Sequence, residues 1–137
     1  MINKINKFDL EDRLVNYAVL IVEICDNMKD TKASNHLSGQ LIRSGTSPAL
    51  NYGEAQGGES RRDFIHKIKV VLKELRESFV CLKIIYRSNL YKSEEKMKLA
   101  MNENNELISI FVKSVETAQK NLQEENRSLK ISKIKNR

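Results

Sequence analysis

The chain has 137 residues, of which 40% are hydrophobic and 31% charged, with two cysteines, one proline, five glycines and no tryptophan. This length suits one domain with a real core, and no apolar run reaches the length of a membrane span. The formal charge is +6, but residues 127–137 (RSLKISKIKNR) contain five basic residues and no acid, so residues 1–126 carry only +1.

The first predicted helix runs from Asp9 to about Lys29. Its apolar residues recur in steps of four and three, which is the spacing of one helical face. These residues are Leu14, Ala18, Ile21, Cys25 and Met28, and Val15 and Val22 widen the face. Asp9 is expected to cap the start of this helix.

The second segment contains every glycine and the only proline, between Gly39 and Gly58. Gly45, Ala49, Gly53 and Gly57 recur every four residues, so one flank of a helix would be lined by small side chains. Such a flank lets a neighbouring helix come closer than the usual ~8–10 Å. Close packing must then offset the helix-forming penalty, about 1 kcal/mol for each glycine and about 3 kcal/mol for a proline.

Pro48 leaves two interpretations of this segment open. A continuous helix with a kink near Pro48 is favoured, and the alternative is a new helix that begins at Pro48 with Ser47 as its N-cap. A phosphate-binding loop is excluded, because neither GxGxxG nor GxxxxGK[ST] occurs and no apolar strand precedes the glycines.

The third and fourth segments are predicted to be helices from Glu59 to about Asn89 and from Ser93 onward. Ser93 is the expected N-cap of the fourth helix, and the short connection between the two predicts antiparallel neighbours. Asn104 interrupts the apolar face of the fourth helix and is predicted to fix its register. The fold class is therefore all-α, with a helical domain over residues 1–126 and a basic C-terminal tail over residues 127–137.

Residues 37–78, LSGQLIRSGTSPALNYGEAQGGESRRDFIHKIKVVLKELRES, resemble the signature of four-helix-bundle proteins encoded in 23S rRNA intervening sequences. The matching positions are Leu41, Arg43, Ser44, Thr46, Ser47, Asn51, Glu54, Ala55, Asp63, Phe64, Lys67, Lys73, Glu74 and Glu77. The chain departs from the pattern at Val80 and Cys81, where a Tyr-Trp pair is usual, and in having its proline one place early.

The resemblance implies an up-and-down antiparallel four-helix bundle that assembles as a ring-like homopentamer. A relative of this family is the accessory protein of diversity-generating retroelements, a basic pentamer that works with a reverse transcriptase and RNA. The family offers no catalytic residues that could be carried over.

Basic residues form a stripe along the third helix at steps of three and four, interrupted by Val80. The basic stripe consists of Arg62, His66, Lys69, Lys73, Arg76, Lys83 and Arg87, about 110° around the helix from the apolar face. One interpretation is a phosphate-binding surface, extended by Arg61, Arg127, Lys130, Lys133, Lys135 and Arg137. The other is a solvated flank that pairs with acids of a neighbouring helix or subunit. Residues suited to stacking on bases are scarce.

The polar residues of the signature form a second candidate site. Arg43, Asn51 and Glu54 could make a buried network that fixes helix or subunit register, which is favoured, or could line a ligand or RNA site. With Gly45, Ser47 and Gly53 they are the residues expected to shape packing or assembly.

Catalysis has little support in the sequence, and neither a metal site nor a cofactor is predicted. His36 and His66 are far apart, there is no CxxC pair, and no nucleophile–base arrangement stands out. The polar start, MINKINKFDLEDR, is unlike a signal peptide, so a cytoplasmic protein without membrane contact is expected. We therefore expect a non-enzymatic oligomeric protein that binds structured RNA. The alternatives are a protein-interaction scaffold and an accessory factor of a retroelement reverse transcriptase.

Overall fold

A computed structural model describes residues 7–57 and 60–136 of the chain, with side chains from residue 10 onward. It contains four helices, α1 (Lys7–Asp26), α2 (Lys32–Gln56), α3 (Arg61–Arg87) and α4 (Glu94–Lys135). Each helix packs against the next along the chain, and α1 also packs against α4. These contacts close an up-and-down antiparallel four-helix bundle, as predicted. No described helix is apolar enough over a sufficient length to cross a membrane.

Three helices begin at hydroxyl N-caps. The side chains of Thr31, Ser60 and Ser93 each accept a hydrogen bond from the backbone N–H three residues later, at 3.1, 3.1 and 3.2 Å. Each bond satisfies one of the free N–H groups of a helix start. The predicted cap at Ser93 is confirmed.

Two helices begin at residues other than the predicted ones. The predicted cap at Asp9 is wrong, because α1 begins at Lys7 and Asp9 lies within its first turn. The third helix was expected from Glu59, which lies outside the described residues, and α3 begins at Arg61.

Helix α2 continues through Pro48, so the alternative of a new helix beginning there is wrong. Pro48 has no N–H, and the carbonyl of Ser44 therefore loses its usual helical donor. Two hydroxyls nearby bond back to the preceding turn: Ser44 donates to the Gln40 carbonyl at 2.9 Å and Thr46 to the Ile42 carbonyl at 2.6 Å. Pro48 is buried, so its ring adds apolar packing that opposes the cost of a proline inside a helix.

A polar cluster lies inside the otherwise apolar core. The amide nitrogen of Asn104 donates within 3.0 Å to the Tyr17 hydroxyl, the Leu75 carbonyl and the Ser78 hydroxyl. The Tyr17 and Ser78 hydroxyls are themselves 2.8 Å apart. We call Tyr17, Ser78 and Asn104 the core amide cluster; it joins α1, α3 and α4 at one level, and the register role of Asn104 stays a prediction. The amide oxygen of Asn104 accepts no hydrogen bond from a described residue.

Helix α4 extends past the rest of the bundle. An ion pair between Arg61 Nε and Glu125 Oε2, at 2.8 Å, places the start of α3 level with Glu125. From there α4 continues to Lys135, about 15 Å further at 1.5 Å per residue. Residues 123–136 are all exposed. The basic tail predicted from the sequence is thus a helical extension of α4 over its described residues.

Candidate nucleic-acid interface

The basic stripe lies along the outer flank of α3. The helix turns its apolar side into the core through Ile68, Leu75 and Leu82, which have no exposed surface. The stripe residues are exposed apart from Lys83, which is half-buried. From Arg62 to Arg87 they follow the axis for about 37 Å.

Two acids of α3, Glu74 and Glu77, lie on its other flank and are held by α2. Arg43 donates from Nη1 to Glu74 Oε2 at 3.0 Å and from Nη2 to Glu77. The pKa of the Glu74 carboxyl is raised, first by its burial and then by its contact with Glu77, while Arg43 opposes the rise. These acids are therefore already engaged on the α2 side and do not neutralise the stripe.

The stripe residues form no ion pair with the described part of the chain. Lys83 instead lies over the ring of Phe79, 5.0 Å from its centroid, where the cation is attracted to the ring face. Arg61, predicted to extend the stripe, is engaged by Glu125. Val80 leaves an exposed apolar gap in the stripe.

The terminal basic residues extend the cationic surface beyond the bundle. Arg127, Lys130, Lys133 and Lys135 are exposed on the extension of α4. Arg137 lies outside the described residues.

No described aromatic side chain is fully exposed. Tyr52 packs edge-on against Phe111 in the core, with ring centroids 5.6 Å apart. Phe79 is covered by Lys83, and the Tyr86 hydroxyl donates to Glu94 at 2.6 Å. This surface is therefore suited to contacts with phosphates, since stacking on bases requires accessible rings.

The predicted buried network of Arg43, Asn51 and Glu54 is wrong. Arg43 is half-exposed and bonds to α3, whereas Asn51 donates to the hydroxyl and carbonyl of Ser47 at 3.1 and 3.0 Å. Glu54 accepts from Lys67 of α3 at 2.5 Å. Arg43 and Glu54 are eleven residues apart on one helix, or about 16 Å along its axis, which is too far for contact.

The hydrogen bonds of Arg43 and Glu54 show what these signature residues do. Ionic bridges join α2 to α3 at two places. Arg43 pairs with Glu74 and Glu77, and Glu54 pairs with Lys67. Sequence reasoning missed these pairings, although Lys67, Glu74 and Glu77 were already among the signature positions. The polar signature thus ties together the two helices that carry it.

The close approach predicted for the glycine-rich flank occurs at Gly45. A Cβ atom on Gly45 would lie 2.7 Å from Cγ2 of Ile21 in α1, too close for a real contact. Gly53 does not show this packing, since its added Cβ would meet only the Glu11 carboxylate at 3.7 Å. An added Cβ on Gly39 would meet nothing within 4 Å. The close-approach prediction is therefore confirmed for Gly45, whereas Gly53 makes no such approach to another helix of the described protomer.

An apolar groove between α1 and α2 was not foreseen. It is open, has a volume of about 350 Å³ and presents almost no polar surface. Val19 and Leu50 are 61% and 69% exposed. We call it the α1/α2 apolar face; it is formed by Val15, Ala18, Val19, Val22, Thr46, Ala49 and Leu50. Val15 and Val22 were predicted to widen the apolar face of the first helix, but the structure exposes both residues.

The described residues contain no group of three or more His, Cys, Asp or Glu side chains that could hold a metal ion. Both cysteines are free thiols. Burial raises the pKa of the Cys25 thiol to about 12, and Cys25 donates weakly to the Ser38 carbonyl at 3.5 Å. Burial also raises the pKa of Cys81. Neither thiol has the lowered pKa of a reactive cysteine.

The fold and the surface charges define an all-α four-helix-bundle protein in which the basic stripe of α3 lies apart from the Glu74 and Glu77 carboxylates of the same helix. Its sequence matches the model of the 23S rRNA-intervening sequence proteins over residues 7–113. The chain therefore belongs to that family, which confirms the resemblance drawn from residues 37–78.

A solved structure shares this fold. It is the 1.70 Å crystal structure of a protein of unknown function from the S23 ribosomal protein family of Bacteroides thetaiotaomicron VPI-5482. The two chains are 29% identical with a TM-score of 0.71, and the alignment covers 77% of this chain and 97% of the other. No protein of curated function matches the sequence.

Proposed function

We propose that this is a cytoplasmic, non-enzymatic protein that assembles with copies of itself and binds structured RNA through the basic stripe and the terminal basic residues. The observation that supports this most strongly is the separation of charge on α3. Its acids Glu74 and Glu77 pair with Arg43 of α2, while the stripe has no ion pair with a described residue. Membership of a family named for 23S rRNA intervening sequences makes RNA the natural polyanion.

Binding would be driven by release of counterions from the phosphates. Each lysine or arginine that neutralises a phosphate releases condensed cations, so affinity falls steeply as salt is raised. Contacts of this kind position a protein on the backbone without reading sequence. Recognition would therefore depend on the shape of the RNA and the spacing of its phosphates.

Self-assembly would use the α1/α2 apolar face. A continuous apolar groove on a water-exposed surface is a common mark of a protein contact. Gly53 of α2 is exposed one turn beyond Ala49 and Leu50 and leaves room for another chain to approach. It costs the helix about 1 kcal/mol relative to alanine without close packing inside the protomer. A second copy seated on this face would provide that packing, and the family resemblance suggests a ring of five.

A second candidate function is a protein-interaction scaffold, which the same apolar face favours. In that case the groove would receive a different protein, such as a reverse transcriptase, and the basic residues would serve solubility. A reverse-transcriptase gene beside the gene of this protein would support a role as a retroelement accessory factor.

Equilibrium binding separates these functions. The intact protein should bind an rRNA hairpin and an unrelated RNA duplex at low salt, with affinity that drops sharply as salt is raised. Failure to bind either RNA at low salt would exclude the proposed RNA function and leave the scaffold.

A further inference from the structure

Helix α1 carries a row of exposed apolar residues with an acid at each end. Val15, Val19 and Val22 are exposed in the protomer. Asp12 and Asp26 are also exposed and form no ion pair with a described side chain. These positions recur in steps of three and four, so they share the side of α1 that faces away from the core. We call Asp12, Val15, Val19, Val22 and Asp26 the α1 seam.

Helix α3 carries a row of the complementary kind, in which apolar residues lie between cations. Val80 and Ile84 are 51% and 42% exposed. Arg76 precedes them and Arg87 follows them, and both arginines are exposed. The two apolar side chains offer nothing to phosphate oxygens, which accept hydrogen bonds from polar donors. We call Arg76, Val80, Ile84 and Arg87 the α3 seam.

The two seams lie on opposite corners of the bundle and at the same height. Within the described chain α1 packs against α2 and α4 but not α3, so α1 and α3 are diagonal and run in the same direction. The Tyr17 and Ser78 hydroxyls, 2.8 Å apart, place these two residues level across the core. Asp26 follows Tyr17 by nine residues, about 14 Å along α1. Arg87 follows Ser78 by the same number along α3, so the two charges lie at one height.

The rest of the two seams corresponds in the same way. Val19 and Val80 each lie two residues beyond the level of the core amide cluster, so they are also at one height. Arg76 lies about 4.5 Å nearer to that level than Asp12 does. Side chains of a helix lean toward its N-terminus, so the long side chain of Arg76 closes this difference.

From this correspondence we infer that the α3 seam of one copy docks on the α1 seam of the next copy. The inference rests on the proposed self-assembly and names the surface that seats on the α1/α2 apolar face. Contacts between two different surfaces of each copy close into a ring only when the rotation that relates successive copies closes, without a rise along its axis. Seams at equal height on parallel helices meet this condition, because Val19 then meets Val80 and Asp26 meets Arg87 without a shift.

This contact divides the basic stripe into two parts. The stripe residues that precede Arg76 lie outside the α3 seam and remain available to phosphates. Arg76 and Arg87 instead meet carboxylates of the neighbouring copy. Apolar contacts through Val80 and Ile84 would exclude water from the centre of the interface.

Sedimentation velocity of the full-length chain tests the contact. Val19→Glu places a charge in the α1 seam and Val80→Glu places one in the α3 seam, and both positions are exposed, so folding should be nearly unchanged. Each variant alone should sediment as a monomer. An equimolar mixture should form a dimer, because one copy brings an intact α3 seam and the other an intact α1 seam. The matched control Leu99→Glu, at an exposed position outside both seams, should assemble as the wild type does.

Charge reversal tests the pairing at the end of the seams and does not depend on the folding of Val80→Glu. Asp26→Arg and Arg87→Asp should each weaken assembly by about tenfold or more, because like charges would then face each other. The two changes combined in one chain should restore assembly, since the charges are opposite again.

Three results would contradict the contact between the seams. Assembly of Val80→Glu like the wild type, or a mixture of the two glutamate variants that stays monomeric at the concentration where the wild type assembles, would overturn it. A double reversal that assembles no better than either single reversal would overturn the pairing of Asp26 with Arg87. In all three cases the wild type still assembles, so the proposed self-assembly stands. A monomeric wild type would instead refute the proposed self-assembly itself.

Discussion

Gly45 of α2 packs directly against Ile21 of α1, so closely that a Cβ atom on Gly45 would lie 2.7 Å from Cγ2 of Ile21. Ile21 is fully buried and has little freedom to move aside. This contact explains why the helix tolerates a glycine at this position. It sets the distance between α1 and α2, on which the α1/α2 apolar face depends.

Gly45→Ala is expected to destabilise the fold. Crowding against Ile21 should outweigh the gain in helix propensity and lower the free energy of unfolding by about 1–2 kcal/mol. Gly39→Ala is the matched control, because its added methyl meets nothing within 4 Å and should raise stability by up to about 1 kcal/mol. Urea unfolding of both variants measures the difference, and equal stabilisation by the two would contradict the close packing at Gly45.

The helices and the tight packing at Gly45 could be predicted because they follow from local pattern. Apolar residues at steps of three and four mark a helix, and a serine before two acids marks its start at Ser93. The pattern could not show that Val15 and Val22 are exposed. Periodicity gives the apolar side of a helix but not how much of that side its neighbours cover.

The candidate site was predictable only in part. The stripe follows from helical spacing within α3 alone, so its position was correct. The bridges from Arg43 to Glu74 and from Glu54 to Lys67 join two helices, and their pairing depends on how α2 and α3 align. Sequence reasoning grouped residues of one helix that lie too far apart to touch.

The core amide cluster should make stability depend on alkaline pH. Burial raises the pKa of Tyr17 from about 10 to about 12, with the hydrogen bonds to Ser78 and Asn104 acting in the opposite direction. The fold therefore favours the neutral phenol. This contribution is present below pH 10 and is lost as the pH rises from about 10 to about 12.

Tyr17→Phe removes this titration. At pH 8 the variant should be less stable by about 1 kcal/mol, because it loses hydrogen bonds of the cluster. Between pH 10 and 12 the free energy of unfolding should fall by about 2–3 kcal/mol more in the wild type than in the variant, because only the wild type has a Tyr17 whose pKa is raised to about 12. Urea unfolding at several pH values measures both effects. Parallel loss of stability in the two proteins above pH 10 would show that Tyr17 is not protected as described.

Arg43 is expected to act in stability rather than in RNA binding. Arg43→Ala leaves Glu74 and Glu77 side by side without their cation, so the midpoint of thermal unfolding should fall. Glu74→Gln in the same background should recover part of the loss by removing one negative charge. RNA affinity should change little in either variant. A selective loss of RNA binding with an unchanged melting midpoint would place Arg43 in the RNA site instead.

Leu50→Glu is expected to disrupt self-assembly. Leu50 is 69% exposed in the protomer, so a charge there should leave its folding nearly unchanged while opposing an apolar contact between copies. Leu99→Glu is the matched control, since Leu99 is 58% exposed and lies outside the α1/α2 apolar face. Sedimentation velocity should show a smaller species for Leu50→Glu alone. A wild-type protein that sediments as a 15.8 kDa monomer would refute the proposed assembly.

The most direct test of the RNA-binding proposal is the salt dependence of hairpin binding by the wild type and by Lys69→Gln, Lys73→Gln. Plots of log affinity against log salt should fall steeply for the wild type, and the double variant should reduce the slope by about 2, one for each lost phosphate contact. The matched charge loss Lys29→Gln, Lys32→Gln should leave the slope unchanged. Identical slopes for the stripe variant and the wild type would contradict RNA binding by the stripe.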